Sequence, residues 1–160
     1  MSHPSDEISP EYGERISLWL YGLMVTGATL VAGARVDDLW ELIFLVVVTN
    51  IVYYLTHLLA SWVAPRSDED ERSLGHHARI AAPMVSAAFG PLAVTLVASV
   101  LGAGRAMAVL CGLVTVLMGF AGVAAIGLRR RGMGGVRILV AVVFIVSVAV
   151  LLIGAKLIVH

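Results

Sequence analysis

LWELIFLVVVTNIVYYLTHLLASWVA, residues 39–64, decides the fold. The stretch is 26 residues long and carries one formal charge, Glu41, near its start. As an α-helix it would extend about 39 Å at a rise of about 1.5 Å per residue. The hydrocarbon core of a bilayer is only about 30 Å thick. Four further apolar runs surround it, at about 16–34, 80–102, 106–128 and 138–159. Each reaches the ~20 residues that a crossing helix needs. The expected fold is an all-α polytopic membrane protein: a bundle of five transmembrane helices over residues 16–160, with short connectors, behind an N-terminal segment 1–15.

Composition agrees. Of 160 residues, 59% are hydrophobic and 14% charged, where a soluble domain has about 45–50% and about 25%. Mean hydropathy is +0.94. A soluble core of this size could not hide five such runs. Formal net charge is zero, which gives no ground for nucleic-acid binding. The one cysteine, Cys111, lies inside an apolar run. It cannot close an internal disulfide, and a lone cysteine is no metal framework; no metal or cofactor is expected. Ile16–Val31 followed by Ala32-Gly33-Ala34 resembles a signal peptide with its cleavage site. The preceding segment argues otherwise: Asp6, Glu7, Glu11 and Glu14 outnumber Arg15, where a signal needs net positive charge. The run reads as a retained first span.

Lys and Arg mark cytoplasmic connectors. Five spans put Arg15, then Arg66, Arg72 and Arg79, then Arg129, Arg130, Arg131 and Arg137 on one side, eight residues in all. The other side holds three: Arg35, Arg105 and Lys156. The N-terminus is therefore expected in the cytoplasm and the C-terminus outside, and four or six spans would spoil the asymmetry. Trp19, Trp40 and Trp62 lie near span ends, where interfacial tryptophan is usual. The connectors 35–38 and 103–105 allow only tight turns, so the spans they join are antiparallel neighbours.

Within 39–64, Asn50, Tyr53, Tyr54, His57 and Ser61 share a sector of about 100° on a helical projection. This stripe is about 16 Å long. It is expected to face a bundle interior or a wet cavity, with Leu45, Val48, Leu55, Leu59 and Trp62 on the greasy side. An ionisable residue at membrane depth is costly and points to function. Histidine titrates near neutrality and can relay protons or sense pH. The competing structural role is a neutral His57 that fixes packing through one interhelical hydrogen bond. Haem usually takes a second axial ligand, and no other histidine lies at that depth inside a span.

The third run has Pro83, Ser86, Gly90 and Pro91. Pro91 removes a helical bond and clashes with the carbonyl of Ala87. Ser86 and Pro91 are thus candidate members of a path, because broken helices expose carbonyls to ions in transporters; an ordinary kink is the alternative. Small residues line one face of the fourth run (Ala108, Gly112, Thr115, Gly119, Gly122) and of the first (Gly22, Thr26, Thr29, Gly33). They permit close helix approach, to a neighbour in the bundle or to another subunit. At the outer end, Lys156 and His160 are one turn apart and Glu41 opens the second span, a candidate Glu41–Lys156 pair. His76-His77 and Asp68–Glu71 fit no metal signature. Arg129, Arg130 and Arg131 read as topology determinants and as contacts for anionic lipid headgroups.

At Ile16–Gly22 (ISLWLYG), Thr49–Ala60 with its Thr56-His57 pair, Ile80–Pro91 and Lys156–His160, the chain resembles a group of small actinobacterial integral membrane proteins of unassigned function. An arginine-rich, Ala/Val/Gly-rich composition fits such a source. The resemblance implies five spans in a bacterial inner membrane and no activity. Filter patterns of fluoride and potassium channels are missing.

Two functional readings follow. The first is a small homo-oligomeric channel or transporter for protons or a small ion, lined by Asn50, Tyr54, His57 and Ser61 at a subunit interface. The second is a non-transporting accessory, assembly or scaffold subunit of a membrane complex. An intramembrane enzyme ranks third: Ser61 follows His57 by one turn, but no carboxylate lies at that depth to orient the imidazole.

Overall fold

The computed structural model describes residues 10–33, 36–63, 74–130 and 132–159; the side chains of residues 10–11, 74, 76–77, 145, 148–149 and 152–159 lie outside that description. Every regular element within it is a helix: α1 (Pro10–Ala32), α2 (Leu39–Val63), α3 (Leu74–Ser86), α4 (Phe89–Val100), α5 (Arg105–Arg130) and α6 (Gly135–Val159). Among the described residues four helical stretches are long and apolar enough to cross a membrane: Tyr12–Ala32, Leu39–Val63, Ala78–Val100 and Arg105–Arg130. The fifth expected run, 138–159, falls in α6, whose fully described apolar part is the shorter stretch Gly135–Phe144. These apolar helices fit a membrane location.

The element ends follow local chemistry. Pro10 opens α1, where its missing N–H costs nothing. Residues 10–15, expected to precede the first span, are therefore part of its helix. Asp38 caps α2: its Oδ1 accepts the Trp40 N–H at 3.0 Å, satisfying one donor of the first turn. Gly102, at φ 85°, ends α4. Its N–H donates to Ser99 O, and that of Ala103 to Ala98 O, both at 3.0 Å. That pair of bonds is the left-handed glycine stop of a helix. Gly132, at φ 71°, repeats it after α5, with bonds to Arg129 O and from Met133 N–H to Leu128 O.

The third span, expected at 80–102 with a break or kink at Pro91, is interrupted and does not run as one helix. It divides at Ala87-Ala88 into α3 and α4. Pro91 is the cause: it sits in the first turn of α4, where no donor is required. Ala88 stays in the right-handed region (φ −76°, ψ −26°), and its N–H reaches back three residues to Val85 O at 3.1 Å. The axis bends without unwinding. The bend also changes partners: α3 packs on α1 and α2, whereas α4 packs on α5.

Helix α1 is the centre of the bundle, touching α2, α3, α5 and α6. Its contacts with α5 pair Leu30 with Gly112, Gly27 with Val116, Leu23 with Gly119 and Ile16 with Gly127, an antiparallel register. Its contacts with α2 pair Gly33 with Leu42, Thr26 with Asn50 and Tyr21 with Tyr53, again antiparallel. The core forms from Leu23, Leu30, Leu42, Val46, Leu92, Val109 and Val116. Gly22, Gly27, Gly112 and Gly119 serve internal seams, whereas Gly122 has nothing within 4 Å of an added Cβ. A Cβ on Gly22 would run into the Met84 backbone carbonyl, and one on Gly112 into Thr95 Oγ1. Helix α2 is the opposite case: only Leu42, Val46 and Asn50 are buried, and Phe44, Val52, Leu55, Leu59 and Trp62 are all more than half exposed.

Candidate functional site

The polar stripe of α2 does not line one cavity; the fold splits it three ways. Asn50 is sealed in the core at 1% exposure. Its Nδ2 donates to Val46 O at 2.9 Å and to Thr26 Oγ1 at 3.2 Å. Thr26, fully buried, has one hydroxyl proton, which goes to Gly22 O at 2.8 Å. Its 3.4 Å approach to Asn50 Oδ1 is the longer and weaker of the two. Asn50 is thus an interhelical tie whose donors are spent.

Tyr54 points elsewhere. Its hydroxyl donates to Ala78 O at 3.4 Å, joining α2 to the first half of α3.

Tyr53 and His57 form the third part. They open on a groove of about 400 Å³ between the N-terminal half of α1 and the C-terminal half of α2, lined by Ser17, Leu18, Tyr21, Tyr53, Thr56, His57 and Ala60. His57 is half-buried there. Tyr53 is 42% exposed, and its ring meets Tyr21 edge-on at 5.7 Å between centroids and 70° between planes, a favoured aromatic geometry. The hydroxyls around the imidazole are bound to their own helices. Ser17 Oγ donates to Glu14 O at 2.7 Å, Thr56 Oγ1 to Val52 O at 2.8 Å and Ser61 Oγ to His57 O at 2.9 Å. Ser61 thus donates to the His57 backbone, not to the imidazole, and the arrangement of nucleophile and base that acyl chemistry needs is not made.

Ser86 and Pro91 sit at the bend. Ser86 Oγ donates to Pro83 O at 3.1 Å, which also accepts the Ala87 N–H at 3.0 Å. Pro91 is buried, and its carbonyl accepts Thr95 Oγ1 at 2.9 Å. These two carbonyls hold donors; the carbonyl that Pro91 itself leaves without a helical N–H is that of Ala87. The buried polar side chains Thr26, Thr29, Asn50 and Thr95 all bond within the chain.

At the other end, Glu41 is exposed in the first turn of α2. Lys156, its candidate partner, lies with His160 outside the residues whose side chains are described, as do His76, His77, Arg131 and the segment 64–73. The described cation of that end is Arg105. Its Nη2 donates to Gly33 O at 3.3 Å, and its Nη1 is 3.8 Å from Asp37 Oδ1. It therefore closes the C-terminus of α1, where a cation also suits the helix dipole.

Comparison with protein-family models, curated proteins and solved structures returns no match. Among the described residues no group of three or more His, Cys, Asp or Glu side chains gathers as metal ligands would. Cys111 is free and half-buried.

Sequence reading missed Ser17 and Tyr21, which face His57 from α1. Their signal was available: they are four residues apart and so share one helical face. What the sequence withheld was which face of α1 meets which face of α2.

Proposed function

We propose that this chain is a five-span integral protein of a bacterial inner membrane, N-terminus cytoplasmic and C-terminus outside, that works by assembly: a scaffold or accessory subunit whose contact face is the groove around His57. The observation that supports this most directly is the contrast in α2. Its buried amide is bonded inside the chain, while its imidazole and a tyrosine are left at an open surface. At membrane depth, polar side chains seldom face lipid and turn to protein or a wet cavity. A second copy covering the groove would supply that protein surface. The broad apolar exposure of α2 on either side gives such a contact area.

Cross-linking tests it. In a Cys111→Ala background, Ala60→Cys puts a thiol in the groove and Val140→Cys puts one on α6. Oxidation in native membranes is expected to yield a disulfide-linked dimer from Ala60→Cys and none from Val140→Cys. A monomer at both positions, or equal dimer at both, removes the homo-oligomeric form of the reading; co-purification with one stoichiometric partner would then define the accessory form.

A second reading rests on the imidazole itself. A proton or small-ion path that runs along the same interface would be lined by the His57 imidazole. Proton flux into liposomes should then drop for His57→Ala. Equal flux from variant and wild type leaves assembly standing and ends the conduction reading.

A further inference from the structure

A second groove, of about 360 Å³, lies on another side of α1, against α5. Its lining is Tyr12, Arg15, Ile16, Trp19, Val123 and Ile126. The antiparallel register orders these residues by depth. One end holds Tyr12 and Arg15, with the Arg130 guanidinium 4.3 Å above the Tyr12 ring. The other end, about 10 Å along the helix, holds Trp19 and Val123. Cation and aromatic ring stand at the rim, and purely apolar walls follow inward. Glu14, the described carboxylate of this stretch, does not line the groove.

A surface of this polarity fits an amphiphile with a negative head and a hydrocarbon tail. A guanidinium that meets a ring through its face can still offer N–H donors from its edge to an oxyanion. Arg15 is exposed beside it. Basic pockets between helices at the cytoplasmic boundary suit phosphate headgroups for this reason. We infer that this groove holds an anionic phospholipid, with its phosphate on Arg15 and Arg130 and one acyl chain along Ile16, Trp19, Val123 and Ile126. The inference shares with the proposed function only the membrane setting; it does not depend on the His57 face.

Trp19 supplies the probe. With Trp40→Phe and Trp62→Phe, it is the one indole left, since the chain has three tryptophans. The full-length protein is placed in nanodiscs of unbrominated zwitterionic phosphatidylcholine doped with acyl-brominated phosphatidylglycerol or, separately, acyl-brominated phosphatidylcholine. Quenching by brominated phosphatidylcholine reports insertion alone, so a failure of the membrane reading shows up as no quenching by either lipid. The expected result is stronger apparent association of the anionic lipid, falling about fivefold for each of Arg15→Gln and Arg130→Gln. Arg137→Gln, outside the groove, should change it little. Because Arg130→Gln also removes the contact with Tyr12, Arg15→Gln is the cleaner variant. Equal association of the two lipids, or a preference that survives Arg15→Gln combined with Arg130→Gln, overturns the proposal.

Discussion

Two seams of α1 use similar residues to opposite ends. Where α1 meets α3 and α5, Gly22 and Gly119 let the helices close, and deeper along α1 Thr26 is tied to the buried Asn50 of α2. Where the N-terminal half of α1 meets the C-terminal half of α2, Leu18, Tyr21 and Tyr53 fill the seam and His57 stays at a groove. The difference is one of side-chain volume. Glycine brings α1 onto the Met84 carbonyl of α3, and on the α2 side an asparagine two turns deeper than His57 reaches Thr26. Bulky aromatic residues prevent the same approach around the imidazole. Polar residues on one helix stripe therefore became a structural tie at one depth and an accessible site at another.

The sharpest way to break this contrast is to widen the tight seam. Gly22→Ala places a methyl on the Met84 carbonyl, a backbone atom that cannot swing aside. A loss of about 1–3 kcal/mol is expected, read as the shift of a denaturation midpoint in detergent. Gly122→Ala is the control, having nothing within 4 Å of its added Cβ; it should be neutral or gain up to about 1 kcal/mol from helix propensity. If both variants behave alike, the tight seam is not what holds the bundle.

Removing the tie should cost less. Asn50→Leu keeps volume and leaves the Thr26 hydroxyl on Gly22 O, so the loss should be near the about 0.6 kcal/mol typical of an interhelical hydrogen bond in membranes. A larger loss, by the same denaturation assay, would make Asn50 more than a tie. At the opposite end of the bundle from His57, Arg105→Gln should lower stability by about 1 kcal/mol through the lost bond to Gly33 O, whereas Asp37→Asn, at a fully solvated carboxylate, should leave the midpoint where it was. The smallest effect belongs to the open site. His57→Ala should change stability by no more than about 0.5 kcal/mol while abolishing or altering the cross-linked dimer. A fold-wide loss at His57 would mean that it packs as Asn50 does.

Much of the architecture was legible in the chain. Runs of 20 or more apolar residues, the prolines of the third run and the glycines that stop α4 and α5 each act through local chemistry, which sequence records. The interruption at Ala87-Ala88 was signalled by Pro91, which cannot donate to the carbonyl of Ala87. The candidate site was half legible. Helical periodicity gathered Asn50, Tyr53, Tyr54, His57 and Ser61 on one face, and the arginines marked one end of the bundle. Periodicity gives the angle of a residue about its own axis and no more.

What the sequence determined by itself was thus everything that depends on neighbours within one turn: helix extent, caps, stops, and the self-bonded hydroxyls of Thr26, Thr29, Thr56 and Thr95. Only the tertiary structure decided which polar side chains are enclosed. That choice rests on how near two helices come, and the spacing is set by the pair of residues in contact, Gly22 on Met84 or Tyr21 on Tyr53. Such pairs are far apart along the chain, so their meeting is written in packing and not in any single segment.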